Sequence, residues 1–395
     1  MSDFQGYRRA DGRVGVRNHV LVLPLSVAAS PIAQTIADHA GPRVKAAPHE
    51  MTVEHASPNT DQTERTLIGV GKNPNVAAVV VLALGTEYSD EATIADEIAQ
   101  SGKPVETCTV REIGGTAASI ERGNEIVEAL SRETVEQKRE AADASELIFG
   151  VECGGSDATS GIASNPAVGH ACDRLIEDGG TACFSETPEF IGAEHILADR
   201  CVDDSVRERL LERVAYREHL ADLMGVDMRG AQPSPGNQEG GLTTIEEKSL
   251  GAIAKGGTTP IQAMVDYAES LPTGGGLTIM DTPGYDVESV VGKVAGGAQV
   301  IAFTTGRGST TGNPIAPVIK VCGNPQTWGR MANNMDINAS RLFAGDSIAD
   351  IGDRIYEKLL AVADGQPTES ERRGLEEFAI NAIHPLEGKV AEVNQ

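Results

Sequence analysis

Residues 151–195 read VECGGSDATSGIASNPAVGHACDRLIEDGGTACFSETPEFIGAEH. Apolar, β-prone runs at Leu147–Val151 and Thr181–Ser185 each end where glycines, carboxylates and a thiol begin. An amphipathic stretch of roughly 12 residues lies between them, so the segment reads as strand, helix, strand. Such a connection joins parallel neighbours, and in open parallel sheets ligands sit beyond the carboxyl ends of the strands. Cys153, Ser156, Asp157, Glu186, Glu189, Glu194 and His195 are therefore expected around one crevice.

Downstream, the pattern repeats. Leu277–Met280 leads into DTPGYD, Val287–Ala295 has helical spacing, and Gln299–Phe303 leads into TTGRGSTTGNP, with a further strand at Ala316–Cys322. Between the two units lie a charged helix, Asp203–Leu223, and the Pro/Gly-rich stretch RGAQPSPGNQEGG (229–241), a candidate active-site loop. A capping pattern, Thr243-x-x-Glu246 or Thr244-x-x-Glu247, then opens a helix that Gly256-Gly257 stop. On it Lys248 and Lys255 face nearly the same way, as two amines awaiting a carboxylate.

Upstream, GYRRADGRVGVR (6–17) places four arginines before a strand at Val20–Leu25, a loop suited to holding a carboxylate through Arg13 and Arg17. A helix near Pro31–His39 and strands at Val44–Ala46, Val76–Leu84 and Pro104–Thr109 follow, with a helix at Ser89–Gln100. A long helix, Thr116–Ala142, loses its apolar periodicity in a charged end that reads as a boundary. Helices at Ile348–Ala363 and Ser370–Asn381 close an α/β chain of two domains, 1–143 and 144–395.

Bulk properties narrow the function. The formal net charge of −25, from 58 acidic against 33 basic residues, is dispersed over the sequence. It repels phosphate backbones and anionic lipid, so nucleic-acid and membrane-surface roles are disfavoured. It also suits a protein kept soluble in a salty cytoplasm. Six cysteines without a CxxC pair argue for reduced thiols, not a zinc ribbon or a disulfide framework. With no apolar signal core in MSDFQGYRRADGR, and with Val76–Leu84 as the longest apolar run, a cytoplasmic, soluble location is expected.

Partial motifs point elsewhere and fail. DTPG (281–284) matches the Asp-x-x-Gly switch of GTPases, but Gly71-Lys72 and Gly292-Lys293 lack both the upstream glycine and the following Ser/Thr of a phosphate loop. His49 and His55 do not form HExxH, GRGSTTG misses the dinucleotide spacing, and no G-x-S-x-G elbow is present.

Seven long motifs in order resemble the altronate/galactarate dehydratase family. They are GYRRADGRVGVRNH (6–19), NPNVAAVVVLALGTE (73–87), CGGSDATSGIASNPAVG (153–169), SETPEFIGAEH (185–195), PSPGNQEGGLTTIEEKSLGAIAKGGTTP (233–260), MDTPGYD (280–286) and FTTGRGS (303–309). The resemblance implies a lyase that eliminates a group β to the carboxylate of a hydroxy acid, supported by a divalent metal, typically Fe2+, with Mn2+ or Mg2+ as alternatives. It implies a dimerising first domain and a Rossmann-like, mainly parallel second domain with a crossover. It also implies a homodimer and a small, separately encoded β-clip subunit as partner. Ala28, the Met51 region and Thr86 stand where dehydratase members carry cysteines, although His49 is retained. Sulfolactate sulfo-lyase large subunits also lack those thiols and share a tail resembling GNPIAPVIKVCGNP (312–325). The expected reaction is dehydration of a sugar-derived acid such as altronate or galactarate, with sulfite elimination from sulfolactate as the alternative. A non-catalytic paralogue or a nucleotide-binding switch protein is the rival of another class.

Such an elimination generates an enediolate, whose charge a metal or an arginine must neutralise while a base and an acid move protons. Candidate metal ligands are Asp157, Glu186, Glu194 and Asp281, with Cys153 or His195. Lys248, Lys255, His195 and Glu189 are the candidate proton-transfer groups. Arg307, with the Gly306 and Gly308 amides, is expected to hold the substrate carboxylate, helped by Ser156, Asn237, Arg13, Arg17 and His49.

Overall fold

The computed structural model describes residues 3–52 and 55–383, so the tail 384–395 of the expected second domain lies outside it. Two parallel sheets organise the chain. The first has four strands in the order Val44–Ala46, His19–Pro24, Val76–Ala83, Val105–Thr109. Every residue of Val76–Ala83 is buried, as a strand covered by helices on both faces requires. The second has seven strands, all parallel, in the order Ile261–Val265, Gly276–Met280, Thr181–Phe184, Ile148–Cys153, Val300–Thr305, Val318–Cys322, Ile337–Asn338.

The α/β expectation, with a crossover in the larger sheet, holds. The chain enters that sheet at its centre with Ile148–Cys153, adds Thr181–Phe184 beside it, passes to the edge with Ile261–Val265, inserts Gly276–Met280 between those two, and returns through the helix Asp286–Ala295 to lay Val300–Thr305 on the other side. The strand order therefore reverses between Ile148–Cys153 and Val300–Thr305, the place where such sheets open a crevice. The expected strand–helix–strand unit at 147–185 is realised as Ile148–Cys153, a π-helical turn Ser160–Ser164 continuing into the α-helix Asn165–Glu177, and Thr181–Phe184.

Three elements differ from the sequence reading. The helix expected to reach Ala142 spans Thr116–Val135, and its charged end instead supplies a short strand, Glu140–Ala142. That strand pairs antiparallel with Phe4–Arg8, which also pairs with Val14–Gly15; long-range pairing overrides the helical propensity of a charged run. The helix expected at Ser370–Asn381 is a single turn, Glu369–Arg372, and the backbone then runs irregularly to Ile383. The helix Pro58–Lys72, capped by Ser57, was missed because its apolar face is small.

The two sheets share a core. Leu21, Val79 and Val81 from the first belong to one buried cluster with Ile301 and Phe303 from the second and with Val291 from the helix Asp286–Ala295. Asparagines staple the seam. Asn75 accepts from the Val16 amide at 2.8 Å and donates to the Gln299 and Ile315 carbonyls at 2.9 and 3.1 Å. Asn73 donates to the Val294 and Ala298 carbonyls at 2.8 and 2.9 Å. Among the described residues no helix is long and apolar enough to cross a membrane.

Candidate active site

Strand ends build the site. Ile148–Cys153 is buried along its whole length, yet it carries Glu152 and delivers Cys153 at its carboxyl end. The neighbouring strand Thr181–Phe184 ends in Ser185 and Glu186, and Glu186 adopts φ 75°, the left-handed region that a residue with a Cβ rarely occupies. Strain of this kind persists only where the surroundings hold it. Here the Glu186 amide donates to Thr282 Oγ1 at 2.9 Å, and its Oε2 accepts from the Cys153 amide at 3.2 Å.

Four groups meet around Cys153. Its thiol donates to Glu189 Oε2 at 3.1 Å and to Glu186 Oε2 at 3.4 Å, while Lys255 Nζ donates to Sγ at 3.0 Å. Lys255 also pairs closely with Glu186, both fully buried, and reaches Glu189 Oε2 at 3.7 Å. Lys248 Nζ lies 3.2 Å from Glu189 Oε1. The two lysines thus meet a carboxylate of this chain. They do so from the helix Ile245–Ile253, N-capped by Thr244, and the 3₁₀ turn that follows it.

Electrostatics sorts the roles. Burial, with the Glu186 and Glu189 carboxylates beside it, pushes the Cys153 thiol well above its usual range. Glu186 is also pushed up, by burial and by Glu152 and Glu189. Glu189 goes the other way: burial is outweighed by Lys248 and Lys255, which keep it ionised. Both lysines are raised despite burial, Lys248 by Glu189 and Lys255 by Cys153 and Glu186. They are held as ammonium ions, the form that stabilises negative charge and cannot accept a proton.

Beside this cluster stands a second buried network. Lys293 pairs with Glu152, both with 0% side-chain exposure, and Ser289 Oγ donates to Glu152 Oε2 at 2.7 Å. Ser185 and Ser289 lie 2.9 Å apart, and Thr282 Oγ1 is 2.8 Å from Ser289 Oγ. Among the described residues, two sets of donors are compact enough for a metal ion: Cys153, Glu186 and Glu189; and Glu152, Glu186 and Asp286. Sequence reasoning passed over Glu152 and Asp286. The signal for Glu152 was a lone carboxylate inside the otherwise apolar strand IFGVEC. Burial, with Glu152 and Glu189 nearby, raises Asp286 to about 7.

A cavity of about 260 Å³ opens beside Glu189 and Lys248, lined also by Ser156, Ser160, Asn165 and Leu250. Of the residues singled out from sequence, the structure gathers Cys153, Glu186, Glu189, Lys248 and Lys255 in one cluster, with Ser156 on the cavity wall. Asp157 also reaches the wall, but its carboxylate is taken by the Thr159 and Ser160 amides at 2.9 and 3.1 Å and by Asn324 Nδ2 at 2.7 Å. Asn237 closes the same loop, donating to the Ser156 carbonyl at 2.9 Å.

The others are engaged elsewhere. Asp281 accepts from Thr187 Oγ1 at 2.7 Å and pairs with Arg217 at 3.1 Å. Glu194 accepts from the Gly192 amide and faces Arg229 at 3.6 Å, and His195 is exposed. The Gly306 and Gly308 amides already bond to the Gly155 carbonyl and Thr305 Oγ1, and Arg307 pairs with Glu239 at 3.2 Å. Arg13 pairs with Asp11 at 2.7 Å, and Arg17 clamps Glu371 at 2.6 Å. His49 is buried against the Pro24 carbonyl at 2.9 Å.

Comparison with known proteins accounts for both halves. Residues 144–385 match the family model described as D-galactarate/altronate dehydratase, C-terminal, and residues 6–134 match D-galactarate dehydratase/altronate hydrolase, second domain. The chain is 41% identical over 387 residues to (2R)-sulfolactate sulfo-lyase subunit beta of Chromohalobacter salexigens, covering 96% of this chain and 97% of that protein. It is 34% identical to galactarate dehydratase (L-threo-forming) of Escherichia coli, over 94% of this chain and 75% of that protein. Altronate dehydratase of Escherichia coli is 31% identical, over 96% of this chain and 77% of that protein. With its two sheets and its clustered strand-end carboxylates accounted for along nearly their whole length, the chain belongs to the D-galactarate/altronate dehydratase family of lyases.

Proposed function

We propose that the protein eliminates sulfite from a 2-hydroxy-3-sulfo acid such as sulfolactate, giving pyruvate. One observation carries the choice of leaving group. The sulfo-lyase relative is 41% identical to this chain, whereas the galactarate and altronate dehydratases of Escherichia coli are 34% and 31% identical. Ala28, the Met51 region and Thr86, which stand where the resemblance implies cysteines in dehydratase members, support the same reading. Dehydration of a sugar acid, the first expectation from sequence, is the second reading, favoured by the family model itself.

In the proposed reaction Glu189, kept ionised by its two lysines, takes the C2 proton at the cavity wall. The electron pair left on C2 is drawn toward the substrate carboxylate, where the Lys248 and Lys255 ammonium groups stabilise the enediolate. The pair then forms the C2=C3 bond as the C3–S bond breaks and sulfite leaves with its electrons. The enol so formed takes a proton at C3 and releases its C2 hydroxyl proton to become pyruvate. Sulfite departs without acid assistance, which suits a cluster whose lysines are tied up in ion pairs. The buried carboxylates around Glu186 include oxygens without a hydrogen-bond partner, so the donor set fits a divalent cation. Bound there, the cation would add Lewis-acid neutralisation of the substrate carboxylate.

The sulfo-lyase relative is named as a subunit, which supports a second polypeptide as partner; a small separately encoded partner, a homodimer of the present chain and a cytoplasmic location complete the same reading. The test is turnover by the purified chain, with and without a co-expressed small subunit, on sulfolactate, galactarate and altronate. Pyruvate is read by coupled lactate dehydrogenase, sulfite by a thiol-reactive dye, and keto-deoxy acids by proton NMR. Sulfite and pyruvate in equal amounts from sulfolactate alone are expected. A keto-deoxy product from a sugar acid, with sulfolactate untouched, would transfer the assignment to dehydration.

A further inference from the structure

Glu152 and Glu186 are both 0% exposed and stand at the ends of adjacent strands. The Oε2 atom of each is engaged, by Lys293 and Ser289 in one case and by Lys255 and the Cys153 amide in the other. The Oε1 atom of each has no hydrogen-bond partner among the described residues. An unpaired buried carboxylate oxygen is expensive, and two in one site also repel each other. A third acid joins them, because Glu152, Glu186 and Asp286 each bring an oxygen to within 4.8 Å of the others.

Asp286 gets there through a glycine. A Cβ on Gly154 would lie 2.0 Å from Asp286 Oδ2 and 2.6 Å from Phe303 Cζ, so any larger residue at the strand end would expel the carboxylate. The Cys153–Glu186–Glu189 set offers a cation less. Its sulfur already receives Lys255 at 3.0 Å, and Glu189 meets Lys248 at 3.2 Å and the thiol at 3.1 Å.

We infer that Glu152, Glu186 and Asp286 form a divalent-cation site, three hard oxygen donors delivered by a strand end, the turn after the neighbouring strand and the first turn of a helix at the carboxyl edge of the seven-stranded sheet, with Gly154 as the residue that admits the third ligand. Charge supports it. With all three acids ionised on a bound cation, three carboxylates face two ammonium groups, Lys255 and Lys293; a divalent cation turns that deficit into a single positive charge, and an incoming substrate carboxylate cancels it. The inference shares its substrate with the lyase reading, but cation binding is measurable without turnover.

The probe is Mn2+ alone, titrated into the metal-stripped full chain and followed by the loss of the free-ion EPR signal. One Mn2+ per chain is expected. Asp286→Asn removes one ligand and weakens binding by at least about tenfold. Gly154→Ala removes none but displaces Asp286, and weakens binding to a similar degree. Glu194→Gln, an acid engaged with Gly192 and Arg229, binds as the parent does. Asp286 sits in the first turn of its helix and is partly exposed, so its variant is expected to fold, and circular dichroism checks this. No uptake by the parent up to about 1 mM Mn2+, or unchanged affinity in a folded Asp286→Asn, overturns the site. Elimination by a parent chain that takes up no Mn2+ would remove the site and keep the lyase reading. Mn2+ binding by a chain inert toward all three acids would do the reverse.

Discussion

Lys293→Met is the sharpest test of how the site is held. Lys293 lies on the helix Asp286–Ala295 with no exposed side-chain surface, and its ammonium pairs with the equally buried Glu152 while donating to Ser289 Oγ at 3.0 Å. Methionine keeps the length and apolar stem but removes the charge, so Glu152 is left with Ser289 at 2.7 Å and Ser185 at 3.4 Å and no counter-ion. Taking one partner out of a buried pair costs about 3–5 kcal/mol, mostly for the stranded charge. If that is the origin of the cost, Glu152→Gln placed on top of Lys293→Met returns most of it, because the amide carries no charge to strand. The pair therefore couples by about 2–3 kcal/mol in a double-mutant cycle. Urea unfolding of the four proteins, followed by far-UV circular dichroism and by the single tryptophan, Trp328, reads the cycle. A single variant that loses less than about 1 kcal/mol, or a double variant no more stable than the single, would refute the reasoning. Either result would mean that water or relaxation screens a pair the structure shows as fully enclosed.

Other expectations follow from the same geometry. Glu189→Gln removes the carboxylate assigned as base, and kcat falls by roughly 10²-fold or more in steady-state assays, while Lys248→Met raises KM and lowers kcat together. His195→Ala, an exposed position, leaves both unchanged. Burial and the Glu50 carboxylate raise Glu288 to about 7. The folded chain therefore holds a proton on Glu288 that the unfolded chain releases near pH 4.3, and stability is lost as pH rises from there through 7. Glu288→Gln is expected to match the parent in thermal melts at pH 4 and to exceed it at pH 8; a constant difference at both would count against that environment. Asn75→Leu strands the Val16 amide and the Gln299 and Ile315 carbonyls at the seam between sheets, at a cost of about 2–4 kcal/mol in urea unfolding, without changing KM for the surviving folded fraction.

Much of the fold was legible because it depends on short-range pattern. Val76–Ala83 announces itself as a run of β-branched and small residues, and Ile348–Ala363 as a capped amphipathic helix with Ser347 at its N-cap. The misread elements depend on distant partners. Glu140–Ala142 is a strand only because Phe4–Arg8 lies beside it, and the segment after Arg372 is held by contacts such as Gln62 to the Asn381 carbonyl, not by its own periodicity.

The same division runs through the site. Sequence by itself determined the kind of chemistry: acids, a thiol and lysines placed at strand ends, in motifs that name a lyase family. It could not say which acid faces which, because a carboxylate in a glycine-rich loop reads the same whether it caps a turn, as Asp157 does, pairs with an arginine, as Asp281 does, or stands beside a buried thiol, as Glu189 does. Only the tertiary structure decided that. Ionisation state and ligand role are set by burial and by charges within a few ångströms, and those neighbours come from residues that are up to 102 positions away along the chain in the case of Cys153 and Lys255.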